Sequence, residues 1–253
     1  MKKCVFFCLK LYAILFIGSN LIYCLLKGIE FNNATNHYSI YMFFQGLLFI
    51  GVVLFAKKKY RIKINLNVFQ INRKSIVFLI ITVFLAIGMH LLYTMEFYIY
   101  TITETSLPSG FGFTWEEFEN LYNNSIFMCI ISGVFYPVLE ELFFRGIVFN
   151  YFRREVTLKI AIVGSCLIFS AFHGKFAPFV FFTTLLITSL YYKSDNIVYP
   201  CVFHIVNNSL SIILGQRGIV GVGKDMRGLI LSGGIILALS LWALYKYSKY
   251  YKV

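Results

Sequence analysis

The sequence predicts an all-α fold, a polytopic membrane bundle of about eight transmembrane helices. Three observations carry that expectation. Hydrophobic residues make up 59% of the 253-residue chain and charged residues only 13%, more apolar surface than a soluble domain of this length can bury. The apolar residues fall in runs near the roughly 20 residues that a bilayer demands. Basic residues collect in the links between those runs, where they act as topology signals and anionic-lipid contacts. That placement explains the formal charge of +12 and speaks against nucleic acid as the partner.

Taken in order, the predicted spans are 4–26, 38–56, 76–102, 125–150, 158–173, 177–192, 197–214 and 228–247. The first opens with the basic start of a signal peptide. Its apolar stretch runs to about Leu26 and lacks an A-x-A-like exit, which marks a retained helix. Tyr23 before Cys24 is too bulky for a lipoprotein cleavage site. With the N-terminus inside, the cytoplasmic links hold sixteen Lys and Arg and the outer links five, so both termini are expected in the cytoplasm. The outer link 103–124 carries Glu104, Glu116, Glu117 and Glu119 and no basic residue. Its stretch from Thr114 has a capping-box start at Thr114 and Glu117 and an apolar face of Trp115, Phe118, Leu121 and Tyr122, which predicts a short interfacial helix. The six cysteines are scattered in apolar runs with no CxxC pair and read as small core residues.

Ionisable groups inside spans are costly unless paired or hydrated, so they are candidates for function. Apart from Lys10, His90 and Glu96 they fall in three clusters. On the fourth span, Glu141 and Arg145 are i, i+4 and can pair, while Glu140 points about 100° away and is left free for chemistry. Pro137 removes a backbone hydrogen bond one turn earlier. On the fifth span, Phe169 and His173 share a face. On the seventh, His204 and Asn208 are one turn apart, with Asn207 beside them. A carboxylate near a histidine can take a proton from water, and a second histidine with an amide can donate to an oxyanion. A purely structural network remains an alternative reading of the same spacing. The chain has no GxSxG, Walker or HExxH motif, so serine hydrolase, NTPase and zincin chemistry lack support.

These clusters resemble the motifs of the CPBP (Abi) family of intramembrane proteases, which includes the CAAX prenyl endopeptidases and bacterial relatives linked to bacteriocin immunity. The EExxxR motif reads Glu140, Glu141, Arg145, the FxxxH motif Phe169 and His173, and the HxxxN motif His204 and Asn208. The resemblance covers about residues 125–215, flanked by membrane helices and the interfacial link in 1–124 and by a last helix and basic tail in 216–253. It implies an intramembrane endopeptidase of a bacterial cell membrane, acting on a membrane-embedded or lipidated peptide or protein. Glu140 and His173 would activate water; His204 and Asn208 would hold the oxyanion; Glu141, Arg145 and Phe169 would support them. The family is described both as metal-free glutamate proteases and as metalloproteases. If a metal such as Zn²⁺ takes part, Glu140, His173 and His204 are its candidate ligands. Two other functions stay open at this point: a catalytically silent immunity or regulatory partner, and a proton-coupled transporter.

Overall fold

The computed structural model of the chain describes residues 2–27, 34–65, 73–102, 126–171, 173, 177–216 and 226–250. Among them the chain is helical, with no strand. In order, the helices are α1 (Lys2–Lys27), α2 (Ala34–Lys59), α3 (Arg73–Ile102), α4 (Ile126–Glu155), α5 (Leu158–Ala171), α6 (Ala177–Ser194), α7 (Val198–Gln216) and α8 (Met226–Tyr250). Five helical stretches, in α1, α2, α3, α4 and α8, are long and apolar enough to cross a membrane; α5 and the Val198–Ile213 part of α7 are shorter apolar helices. The chain is an integral membrane protein. The expected interfacial helix at 114–122 and the side chain of Glu96 lie outside the described residues.

Large apolar side chains face outward along whole helices. On α8, Leu231, Ile235, Leu239 and Trp242 are all exposed and stand three or four residues apart. Such a stripe in water would be an aggregation surface; in a bilayer it meets lipid tails. Cys24 also lies on an exposed face, and only Cys4 and Cys166 are buried. The expectation of cysteines as core residues therefore holds for those two and fails for Cys24, because a membrane bundle turns apolar residues outward as freely as inward.

Two large buried clusters and a small third one, of Met42, Met128 and Ile131, make the interior. One joins α1, α2, α4 and α5 through Phe7, Val52, Phe143, Ile147 and Phe169. The other joins α3 and α8 to α6 and α7 through Phe78, Leu85, Leu190, Phe203 and Leu244. Helix α7 stands between them, with Cys201 packed against the first and Phe203 within the second. It starts where Asn196 Oδ1 accepts the Val198 N–H at 3.0 Å, a side-chain cap on an otherwise orphan donor.

The contact of α3 with α8 is the broadest in the bundle. Lipid tails are as apolar as leucine, so helices associate by close packing, which small residues permit. A Cβ on Gly88 would come within 2.8 Å of the Leu237 backbone nitrogen, and one on Gly233 within 2.7 Å of Leu91 Cβ. Gly88→Ala is expected to destabilise the protein by roughly 1–3 kcal/mol through overpacking. Gly234→Ala, where a Cβ meets nothing within 4 Å, is the control in a thermal melt in detergent.

The helix ends rich in Lys and Arg lie together on one side of the bundle. Lys3 is 3.8 Å from Glu155, Arg154 donates to the Tyr60 carbonyl at 3.0 Å, and Arg153 is 3.4 Å from Asp195. Tyr247 on α8 donates to the Lys74 carbonyl at 2.6 Å. The end of α2 is tied to this side by a segment, residues 60–65, whose Asn65 carbonyl accepts the Ile197 N–H at 3.4 Å. Arg61 stands there with φ +48°. The Ile62 N–H reaches the Lys57 carbonyl at 3.0 Å and the Arg61 N–H reaches the Lys58 carbonyl at 3.4 Å. This is a Schellman helix stop, in which the left-handed position is normally glycine.

Candidate active site

Helix α4 is not a regular α-helix around the charged motif. Residues Ile131–Phe135 and Leu142–Phe149 form wide π-helical turns on either side of the α-helical Tyr136–Glu141. Pro137 supplies no N–H and its ring crowds the carbonyl four residues back. The first wide turn takes up that conflict without ending the helix. Wide turns of this kind recur at functional sites because they re-aim side chains.

Glu141 is fully buried and Arg145 is 1% exposed. Arg145 Nη1 donates to Glu141 Oε1 at 2.8 Å, as the i, i+4 spacing predicts. Burial of an arginine demands acceptors for its other donors. Thr184 on α6 provides two, since Arg145 Nη2 bonds both its hydroxyl and, at 3.2 Å, its carbonyl. The guanidinium also lies over the Phe169 ring, with Cζ 4.8 Å from the centroid.

The same Glu141 oxygen meets His204 Nδ1 at 2.8 Å. An ionised carboxylate only accepts, so His204 Nδ1 carries the proton and donates. The other ring nitrogen, Nε2, then faces Glu140 Oε2 at 3.6 Å. Glu140 keeps 24% of its side-chain surface exposed whereas Glu141 keeps none. The two adjacent glutamates thus occupy different environments, as their divergence on the helix predicts. The sequence reading takes Glu141 only as half of an ion pair; in the fold it also orients His204.

His173 lies in the turn just past α5, not on the helix as expected; its N–H reaches the Ser170 carbonyl at 2.9 Å. Its ring Nδ1 is 2.9 Å from the Phe169 carbonyl. A carbonyl only accepts, so Nδ1 is the protonated nitrogen and Nε2 offers a lone pair. The ring stacks on Phe169 at 4.6 Å, and Phe169 meets His204 edge-on at 6.0 Å. One aromatic plate therefore touches Arg145, His173 and His204. Helix α5 has 14 residues, about 21 Å at 1.5 Å per residue, and begins on the basic side of the bundle. That is shorter than an apolar layer about 30 Å thick.

Asn208, one turn beyond His204, donates from Nδ2 to the Ser132 carbonyl in the first wide turn at 3.3 Å. It therefore engages α4 upstream of the glutamates, with its second N–H outside that bond. Asn207 contributes a carbonyl that accepts from Ser211. The structure brings Glu140, Glu141, Arg145, Phe169, His173 and His204 together, and seats Asn208 against the helix that carries the glutamates. Thr184 and Ser132 are the contributors that sequence reasoning missed. The need of a buried arginine for acceptors, set against the threonine pair at 183–184 in an apolar span, is the signal that points to Thr184.

Among the described residues no three His, Cys, Asp or Glu side chains form a group that could hold a metal ion.

Residues 122–210 match the family model for type II CAAX prenyl endopeptidase Rce1-like proteins. The match spans all three charged clusters. This segment is similar to the CAAX proteases. No curated protein and no solved structure matches the chain. The match covers most of the α4–α7 region, where the charged clusters lie.

Proposed function

We propose that the protein is a glutamate-dependent intramembrane endopeptidase whose catalytic core spans residues 125–215 and whose substrate is a membrane-embedded or lipidated peptide. The observation that carries this reading is the pair of unlike glutamates on one histidine: Glu141 fixes His204 Nδ1 at 2.8 Å while the partly exposed Glu140 faces Nε2 at 3.6 Å. That second gap is too long for a hydrogen bond and lets one water molecule bond to both groups.

The chemistry follows from donors and acceptors. Glu140, ionised, takes a proton from water as the oxygen attacks the scissile carbonyl. His173 Nε2 accepts the water's other hydrogen and aligns it. The developing oxyanion needs donors. His204 supplies one from Nε2 when that nitrogen carries a proton, and Asn208 Nδ2 supplies another. Glu140 then returns its proton to the leaving amine, so the peptide bond and one water become a carboxylic acid and an amine. Arg145, Thr184 and Phe169 hold the reacting groups in place. The roles fit peptide maturation, CAAX-type processing or self-immunity equally, since the site reads a carbonyl and not a side chain.

The test is cleavage by purified protein in nanodiscs, read by mass spectrometry, of a farnesylated C-terminal CAAX peptide and of an unlipidated single-span peptide. Fragments from either with wild type, and from neither with Glu140→Gln, support the reading. Both peptides left whole by wild type would overturn it.

The basic side of the bundle faces the cytoplasm in this reading. Lys59→Cys in a cysteine-depleted background is expected to resist an impermeant maleimide in intact cells and to react once the membrane is opened. Labelling of intact cells reverses the orientation.

A further inference from the structure

We infer that the α2 stop and the segment after it form a binding site for one anionic phospholipid. A groove of about 560 Å³ is lined by Leu54, Lys57, Lys58, Arg61, Ile62 and Lys63. Four of its six lining residues are cationic and none is acidic. Leu54 is exposed on the side of α2 and Ile62 is buried at the end of the helix, so the groove runs from the acyl-chain level to the headgroup level. That shape suits a lipid, with chains on Leu54 and a phosphate among the cations, better than a free anion.

Among the described residues no acid answers these charges. The links on this side of the bundle contain only two acidic side chains, Glu155 and Asp195. Glu155 is matched by Lys3 and Asp195 by Arg153. The other cation nearby, Arg154, is spent on the Tyr60 carbonyl. Among the described residues no ion pair involves Lys57, Lys58, Arg61 or Lys63.

Arg61 is the second observation. It occupies the left-handed position of the helix stop, where an L side chain is disfavoured and glycine is preferred. Fold stability alone selects glycine there. A residue kept against its backbone preference points to a task for its side chain, and here that side chain rims the groove. The segment is also anchored to the protein: the Lys63 carbonyl accepts from Asn150 Nδ2 at 3.3 Å, and Ile64 packs against Gly146. The cations are therefore presented on a fixed frame and not on a loose tail.

The experiment titrates acyl-labelled phosphatidylglycerol into the full chain in dodecyl maltoside, with phosphatidylcholine and free glycerol phosphate as competitors, and records melting temperatures in the same micelles. Wild type is expected to bind phosphatidylglycerol, with phosphatidylcholine and glycerol phosphate competing poorly. Arg61→Gly is expected to weaken binding about fivefold, the effect of one basic group at a membrane surface, while its melting temperature without the lipid stays level or rises. Lys57→Gln and Lys63→Gln together are expected to weaken it further. Lys246→Gln, on the same side but outside the groove, is expected to change it little. Equal weakening by Lys246→Gln, unchanged binding by Arg61→Gly, or displacement by glycerol phosphate at the lipid's own concentration overturns the site.

Discussion

Glu140→Gln is expected to abolish peptide hydrolysis while the protein stays folded and abundant in the membrane. The side chain is partly exposed and its closest charged partner, His204 Nε2, is 3.6 Å away, so an isosteric amide removes the base without stranding a buried charge. Glu141→Gln, one residue on, is expected to act on the fold. Glu141 Oε1 serves Arg145 and His204 at once, at 2.8 Å each, in full burial. Neutralising it leaves the Arg145 guanidinium buried without its counter-ion, a loss of roughly 3–5 kcal/mol for such a pair. Arg145→Ala is expected to lose a similar amount, and to release Thr184 and Phe169 as well. Thermal melts and membrane abundance separate the two glutamates. If both amide variants fold like wild type and both cleave, the division of roles between them is wrong.

Asn208→Ala is expected to lower kcat by roughly 10²–10³-fold, the usual cost of one oxyanion donor, with KM nearly unchanged. An oxyanion donor acts mainly when negative charge develops on the carbonyl oxygen, so its loss spares ground-state binding. The bond from Asn208 Nδ2 to the Ser132 carbonyl fixes the amide and leaves its second N–H for the substrate. Asn208→Asp keeps the size of the side chain and removes both donors, so it is expected to be as slow as the alanine variant. A protein that only binds a partner responds differently: Asn208→Ala then alters binding or folding and no turnover. A well-folded Asn208→Ala enzyme with wild-type kcat removes the oxyanion role.

Much of this was legible in the sequence because the solvent is lipid. Eight apolar runs became eight helices among the described residues, and a few charged residues in those runs could hardly be anything but paired or functional. The Glu141–Arg145 pair follows from helix geometry alone, and the separation of Glu140 from Glu141 follows from the same 100° step. What did not follow are contacts between distant segments. No local spacing announces that Thr184 holds Arg145, that Glu141 also orients His204, or that Asn208 reaches Ser132. The placement of His173 did not follow either. A predicted span of 158–173 puts it on the helix, whereas the helix ends at Ala171 after 14 residues and leaves it in the turn beyond. The wide turns of α4 were hidden too, since Pro137 signals a disturbance without saying whether the helix will kink, stop or widen.

The central claim is that water activated at Glu140 breaks a peptide bond, and isotope tracing of the first turnover addresses it most directly. The protein in nanodiscs, in excess over a membrane peptide that wild type cleaves, is mixed with ¹⁸O water and the fragments are weighed. The expected result is one ¹⁸O atom in the new carboxyl terminus from wild type, and no fragment from Glu140→Gln. A first-turnover product whose new carboxyl carries only ordinary oxygen would mean that a side chain attacks the carbonyl, and cleavage by Glu140→Gln at the wild-type rate would mean that the base is elsewhere; either result contradicts the mechanism.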